Sequence, residues 1–274
     1  MSLPDFTYRR PASLDEARDM LASDPEARPL AGGQTMIPAL KQRLLRPSTL
    51  VDLQDIPEMK GVEIGAEWIS IGAMTPHAVT ATHPGIRAAI PALSHMAGNV
   101  SHPQVRNLGG SIANNDPAAD YPAALLGLGA EVETTARRIV ADDFFLGLFT
   151  TALEPRELVL RIHFPRPDRC GYKKFANLAS GYVTTGAFVA NGPAGLRVAV
   201  NGAGPVVFRF GEAEKRLAGD FSPAALAGLR LPPDGLNNDI HASAAYRAQL
   251  AVVATRRALD AALAELPESA KENA

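Results

Sequence analysis

Ala31-Gly32-Gly33-Gln34-Thr35 and, roughly 75 residues on, Leu108-Gly109-Gly110-Ser111-Ile112 decide how this chain is read; the second runs on to Asp116-Pro117-Ala118-Ala119-Asp120. Each glycine pair adjoins a short apolar run and precedes a helix-like stretch. Glycine lacks a Cβ, so the backbone can turn at positive φ and present bare N–H groups to a ligand. Two such turns can hold the two phosphates of one dinucleotide from opposite sides. Neither follows the Gly-x-Gly-x-x-Gly or P-loop pattern. One Gly-Gly is a routine turn; two with these flanks carry more information.

Working outward, Phe6-Thr7-Tyr8 reads as a strand and Ser13 as the cap of a helix with Asp15 and Glu16 in its first turn. Arg28 to Ala31 is a strand ending in the first glycine loop, Met36 to Leu45 a helix stopped by Pro47, and Thr49 to Leu53 another strand. Residues 1–54 thus form a βαβαβ-like unit. Val62–Ile64 and Trp68–Ile71 read as a hairpin, with Thr75 capping a helix to Thr80 and a second helix over Ile86–Met96. A helix runs from Asp120 to Leu128, and Glu131–Thr135 and Leu158–Ile162 alternate like strands. Pro165-Arg166-Pro167-Asp168 is a linker. Beyond it, strands at 186–190, 196–200 and 206–210 suggest an antiparallel sheet. Short helices follow at 212–217 and 223–229, then a long Ala-rich helix over Ser243–Leu263 with Tyr246, Leu250, Val253 and Leu259 on its apolar positions. The expected units are 1–54, 55–166 and 170–266.

With 274 residues, 46% of them hydrophobic, the chain can build one large or two modest cores. A net charge of −2 without a basic stripe argues against nucleic acid. Met1 to Asp5 does not read as a signal peptide, and no apolar run spans a membrane, so a cytoplasmic protein is expected. The single cysteine, Cys170, excludes an intrachain disulfide, an all-cysteine zinc site and a self-contained iron–sulfur cluster. The six histidines lack metal-site spacing, so no protein-held metal is expected.

Ala-Gly-Gly-Gln-Thr at 31–35, Gly-Gly-Ser-Ile at 109–112 and Asp-Pro-Ala-Ala-Asp at 116–120 resemble the FAD-binding medium subunit of molybdenum hydroxylases, of the aerobic carbon monoxide dehydrogenase and xanthine dehydrogenase type. The likeness covers nearly the whole chain, including Asp143-Phe144-Phe145, Lys174-Phe175 with Asn177, and Asp239 to Arg247. It implies an α+β fold: a two-lobed FAD-binding domain of the vanillyl-alcohol-oxidase (PCMH) type, with lobes at 1–54 and 55–166, plus a small C-terminal α/β domain with an antiparallel sheet. It also implies partners: a large molybdopterin-binding subunit, and a small subunit whose two 2Fe–2S clusters pass electrons to the FAD, in a dimer of heterotrimers. One departure stands out. Family members carry Arg-Gly-Thr-Ile-Gly-Gly at the second loop; here Arg106-Asn107-Leu108-Gly109-Gly110 is about three residues shorter, with Asn107 nearest the threonine position.

On this reading FAD is bound non-covalently, and no residue of the chain is catalytic. The amides of Gly32, Gly33, Gln34, Gly109, Gly110 and Ser111 neutralise the diphosphate, helped by the helix start at Met36 and the side chains of Gln34 and Thr35. Ala31 and Leu108 flank the two loops, and Asn107 offers both a donor and an acceptor. Asp116 and Asp120 contact adenosine or ribose, or cap helices. Lys174 either faces the flavin ring system or its pyrimidine edge or is a solvated lysine beside Lys173, and Leu158 packs either against the ring or in the core. Two other classes remain: a free-standing flavin oxidoreductase of the same superfamily, and a scaffold subunit with lost or weakened FAD binding.

Overall fold

The structure, a computed structural model, describes residues 3–100 and 103–264. It opens with β1 (Thr7–Arg9), α1 (Leu14–Ser23), β2 (Arg28–Leu30), α2 (Met36–Lys41) and β3 (Thr49–Asp52). The three strands are parallel, in the order β1-β3-β2, so the first glycine loop lies where β2 hands over to α2. Ser13 caps α1 as expected, accepting from the Glu16 amide at 3.2 Å. α2 stops at Lys41, short of the expected Leu45. Arg43 takes φ 59° and the Leu44 amide closes back on Ala39 O at 2.9 Å, a left-handed helix ending usually made by glycine.

β4 (Val62–Ile64) and β5 (Trp68–Gly72) form the expected hairpin. Three short helices follow: α3 (His77–Thr82), α4 (Pro84–Ala89) and α5 (Pro91–Gly98). Two expectations need correction here. Thr75 does not cap α3; it is buried, and its hydroxyl donates to Gly61 O at 3.1 Å. The single helix expected over 86–96 is two, because Pro91 has no N–H and forces Ile90 out of helical geometry, to φ −137° and ψ 68°.

α6 (Leu108–Asn114) and α7 (Tyr121–Leu128) come next. A third correction falls on α6: the glycine pair at 109–110 is not a positive-φ turn but lies inside the helix, with Asn107 as its cap. β6 (Glu131–Thr134), β7 (Arg138–Val140), α8 (Ala141–Phe144), the small hairpin β8 (Phe145–Gly147) with β9 (Thr150–Thr151), and β10 (Val159–Pro165) complete this part. β4, β5, β10, β6 and β7 make one antiparallel sheet in that order.

The last sheet is antiparallel, in the order β11 (Arg169–Ala176), β12 (Val183–Asn191), β13 (Arg197–Asn201), β14 (Phe208–Arg209). β11 was not foreseen, because Lys173 and Lys174 interrupt its alternation. α9 (Gly211–Gly219) and the long α10 (Ala244–Ala264) follow. α10 covers one face of this sheet, with Ala251, Ala254, Ala258 and Leu259 in a core shared with Val189, Val198 and Val200. The other face, through Cys170, Tyr172, Phe188 and Ala199, joins the core built on α7 and the five-stranded sheet. A sheet buried on both sides explains the apolar runs Ala187–Ala190 in β12 and Val198–Val200 in β13. Two of the apolar positions expected on α10 do not behave alike: Leu250 is buried, whereas Tyr246 is 55% exposed. Among the described residues no helix is long and apolar enough to cross a membrane.

α10 approaches β11 so closely that a Cβ on Gly171 would lie 2.1 Å from Ala258 O and 2.7 Å from Ala262 N. Backbone cannot yield as a side chain can. Gly171→Ala is therefore expected to destabilise the protein by roughly 1–3 kcal/mol, read as a lower urea midpoint at unchanged slope. A variant as stable as the parent would show that α10 can shift away at no penalty.

Candidate functional site

A cleft of about 380 Å³ runs between the parallel unit and the helices that precede β6. Of the residues singled out in the sequence, Ala31, Gly32, Gly33, Gln34, Thr35, Met36, Asn107, Gly109, Gly110, Ser111, Asp116 and Leu158 all line it. Leu108 does not: it is the first residue of α6, and its side chain is fully buried in the core. Asp120 and Lys174 lie outside the cleft as well.

The first loop has the form expected. Gly33 sits at φ +71°, where a β-branched side chain is strained. Gly32 has no room for a side chain, since a Cβ there would be 2.1 Å from Val105 O. The amides of Gly32, Gly33, Gln34, Thr35 and Met36 have no acceptor among the described residues; bonding along the chain resumes with Ile37 N to Gly33 O at 2.9 Å. Gln34 Nε2 reaches Gly32 O at 3.5 Å. A run of open donors on a cleft wall suits an oxyanion.

The second segment differs. Gly109 N donates to Ala73 O at 2.8 Å, Gly110 N to Asn107 Oδ1 at 2.9 Å, and Ser111 N to Asn107 O at 3.2 Å. The three amides expected to meet phosphate are thus spent inside the protein. The glycines serve close packing instead: a Cβ on Gly109 would strike Ala73 Cβ at 2.4 Å, and one on Gly110 would approach Ala31 Cβ at 3.2 Å. Asn107 uses its carbonyl oxygen as the cap of α6, which leaves its amide nitrogen as the donor it can offer the cleft. Asp116 is held by an Asx turn, accepting from Ala118 N at 2.9 Å.

Beside the cleft lies a small polar chamber of about 20 Å³, lined by His77, Arg106, Ser111, Asp120 and Tyr182 among others. Asp120 precedes α7 but makes no side-chain cap. It accepts from Tyr172 Oη at 2.9 Å and pairs with Lys174 Nζ at 2.9 Å. Burial pushes its carboxyl above the ordinary range, opposed by Lys174. Burial likewise raises the Tyr172 hydroxyl, with Asp120 adding to the effect. Lys174 also donates to Gly181 O at 3.1 Å. It is neither solvated nor in the cleft; it fastens β11 to the start of α7. His77, which no sequence signal picked out, is buried against the Tyr121 ring at 4.7 Å, and burial drives its pKa down to about 3, so it is neutral at physiological pH.

Sequence reasoning missed Arg28, Met59, Met74, Arg106, Asn114, Leu153 and Glu157 as cleft residues. They come from six separate segments, so no local pattern could have grouped them. Glu157 is fully engaged, accepting from Thr134 Oγ1 at 2.5 Å, Arg137 Nε at 3.2 Å and Glu154 N at 2.8 Å. Among the described residues no three His, Cys, Asp or Glu side chains gather as a metal site.

The chain has known relatives in sequence and in fold. Residues 4–167 match the family described as the FAD binding domain in molybdopterin dehydrogenase. The chain is 34% identical to the nicotine 6-hydroxylase medium subunit of Paenarthrobacter nicotinovorans, over 94% of this chain and 98% of that one. Its structure matches a chain of carbon monoxide dehydrogenase from Hydrogenophaga pseudoflava at a TM-score of 0.85 and 31% identity, covering 96% of this chain and 99% of that one. Quinoline 2-oxidoreductase from Pseudomonas putida 86 gives a TM-score of 0.86 at 33% identity, covering 96% and 99%. The fold is accordingly the two-lobed α+β type of the vanillyl-alcohol-oxidase class with a smaller C-terminal domain, as the resemblance implied.

The Asp120–Lys174 pair is nearly dry, with side chains 5% and 12% exposed. Lys174→Met would leave a buried carboxylate without its cation, a change worth about 3–5 kcal/mol. Stability should fall by that order at pH 7. It should recover as the pH drops through the raised Asp120 pKa, because the protonated carboxyl needs no partner. Adding Asp120→Asn should restore most of the loss at pH 7. Chemical denaturation of the two single variants and the double variant measures this; additive losses would show that the pair does not interact.

Proposed function

Since this chain belongs to the family of FAD-binding domains of molybdopterin dehydrogenases, we propose that it is the electron-transferring flavoprotein subunit of a molybdenum hydroxylase. The observation that carries the reading is the row of open amides from Gly32 to Met36 along the cleft. In this reading residues 1–54 and 55–166 hold the FAD between them, and 170–266 form a separate domain packed behind. The first loop, Ala31 to Met36, binds the diphosphate. Asn107, Gly109, Gly110 and Ser111 form the floor; Asp116 meets the adenosine; Leu158 packs against a ring. Asp120 and Lys174 lie outside the cleft and hold β11 to the start of α7 behind it. The bound flavin supplies a centre that exchanges electrons singly or in pairs. The protein's own part is to bind it, orient it and exclude water around it.

The electrons come from a large subunit's molybdenum cofactor by way of two 2Fe–2S clusters on a small subunit, in a cytoplasmic dimer of heterotrimers, and leave to a final acceptor. Support lies in the designation of relatives as medium subunits or chains and in the single buried cysteine, which cannot ligate a cluster here. Relatives named for nicotine, glyceraldehyde and carbon monoxide share this subunit type, so substrate choice belongs to another chain.

Purification of the untagged protein from its host is expected to bring down molybdenum and iron with it, and acid precipitation to release yellow FAD into the supernatant. Native mass spectrometry showing only homo-oligomers would overturn the assembly; flavin retained in the acid pellet would overturn non-covalent binding. Gly33→Val tests the loop. Placing a β-branched residue at φ +71° strains the backbone by about 1–3 kcal/mol and crowds the amides. FAD affinity should fall ~10-fold or more, and normal binding by the variant would place the diphosphate elsewhere.

A further inference from the structure

Arg28 lines the cleft from β2, ahead of the glycine loop, and is partly buried. Its guanidinium is already fixed. Nη1 donates to Pro25 O at 2.9 Å and to Ala27 O at 2.8 Å, which uses both of that nitrogen's protons. The remaining donors, Nε and Nη2, form the side-on edge of the guanidinium. This edge carries two parallel N–H groups at the spacing of a phosphate or carboxylate oxygen pair. No acceptor among the described residues meets it, and no carboxylate pairs with Arg28. The carboxylates of the cleft are engaged elsewhere: Glu157 with Arg137 and Thr134, Asp116 with its own Asx turn. The guanidinium of this cleft-lining residue, held by two backbone carbonyls with its bidentate edge left open, is preorganised for an anion.

The electrostatics of the cleft give this edge a task. The second glycine segment spends its three amides internally, so the diphosphate charge expected there must be met by other donors. We propose that Arg28 is a phosphate-binding residue of this cleft, its Nε–Nη2 edge taking oxygens of the FAD diphosphate beside the open amides of the first loop. This rests on the FAD reading above and adds to it an ionic component of cofactor recognition. Two carbonyls hold the side chain in place before the ligand arrives, so little rotamer entropy is lost on binding.

The test uses the full-length protein in its native assembly, stripped of flavin and titrated with FAD at low and at high salt. Arg28→Gln should weaken FAD binding roughly 10- to 100-fold at low salt, the size of a lost hydrogen bond to a charged group. The gap to wild type should narrow at high salt, because charge–charge attraction in an open cleft is screened. Arg28→Lys keeps the charge but not the planar fork, and should lie between the two with its salt dependence retained. ADP, used as a competitor, should lose potency in Arg28→Gln in parallel with FAD, while adenosine should not. Thermal melts of the flavin-free forms check that the variants fold. Equal FAD affinity in wild type and Arg28→Gln, a loss of the same size at both salts, or an equal loss for adenosine would overturn the assignment. A wild type that takes up no FAD would instead overturn the cofactor reading itself.

Discussion

Everything in the site depends on one close approach between backbones. Gly32 lies against the Val105 carbonyl with no space for a Cβ, and a Cβ on Gly110 would come within 3.2 Å of Ala31 Cβ. These contacts bring the parallel β1-β3-β2 unit against the start of α6, and the cleft is what remains between them. Any side chain at Gly32 would wedge the two parts open. It would also crowd the open amides of residues 32–36 on the cleft wall. Fold and ligand capacity therefore follow from the same missing atoms.

The two glycine pairs look alike in sequence and do different work. At 32–33 the backbone turns at positive φ and leaves its donors open. At 109–110 it is helical, and its donors are bound to Ala73 and Asn107. The difference lies in how the helix beside each pair begins. Asn107 is a strong cap residue, and its side chain closes a helix at once. Gln34 and Thr35 provide no such cap: α2 begins without a side-chain bond at its start. The second segment is thus a firmly capped helix whose first amides are bonded inside the protein, while the first loop keeps its donors open.

The C-terminal sheet is joined to this arrangement by buried polar contacts as well as by apolar packing. Tyr172 and Lys174 of β11 reach Asp120, and Asn201 of β13 donates to Ala119 O at 2.6 Å. Arg247 of α10 in turn binds the carbonyls of Thr184 and Gly202 and the carboxylate of Asp239. Each of these groups would be unstable where it lies without its partner. The network fixes the register of the C-terminal sheet against the segment from 116 to 120 that borders both cavities.

The sequence by itself determined the elements whose reasons are local: the cap at Ser13, the parallel unit of residues 1–54, the hairpin at 62–71, the antiparallel character of the last sheet, and the positive-φ turn of the first glycine loop. Pattern and turn chemistry within a few residues suffice for those. The tertiary structure alone decided that α2 stops early, that Pro91 divides one helix into two, that β11 is a strand despite Lys173 and Lys174, and that Asp120 meets Tyr172 and Lys174 rather than capping α7. It alone brought Arg28, Met59, Arg106, Leu153 and Glu157 to one cleft. The physical reason is the same in each case. A residue's partner there lies far along the chain, and burial and hydrogen bonding with that partner outweigh the weak preferences that short-range sequence expresses.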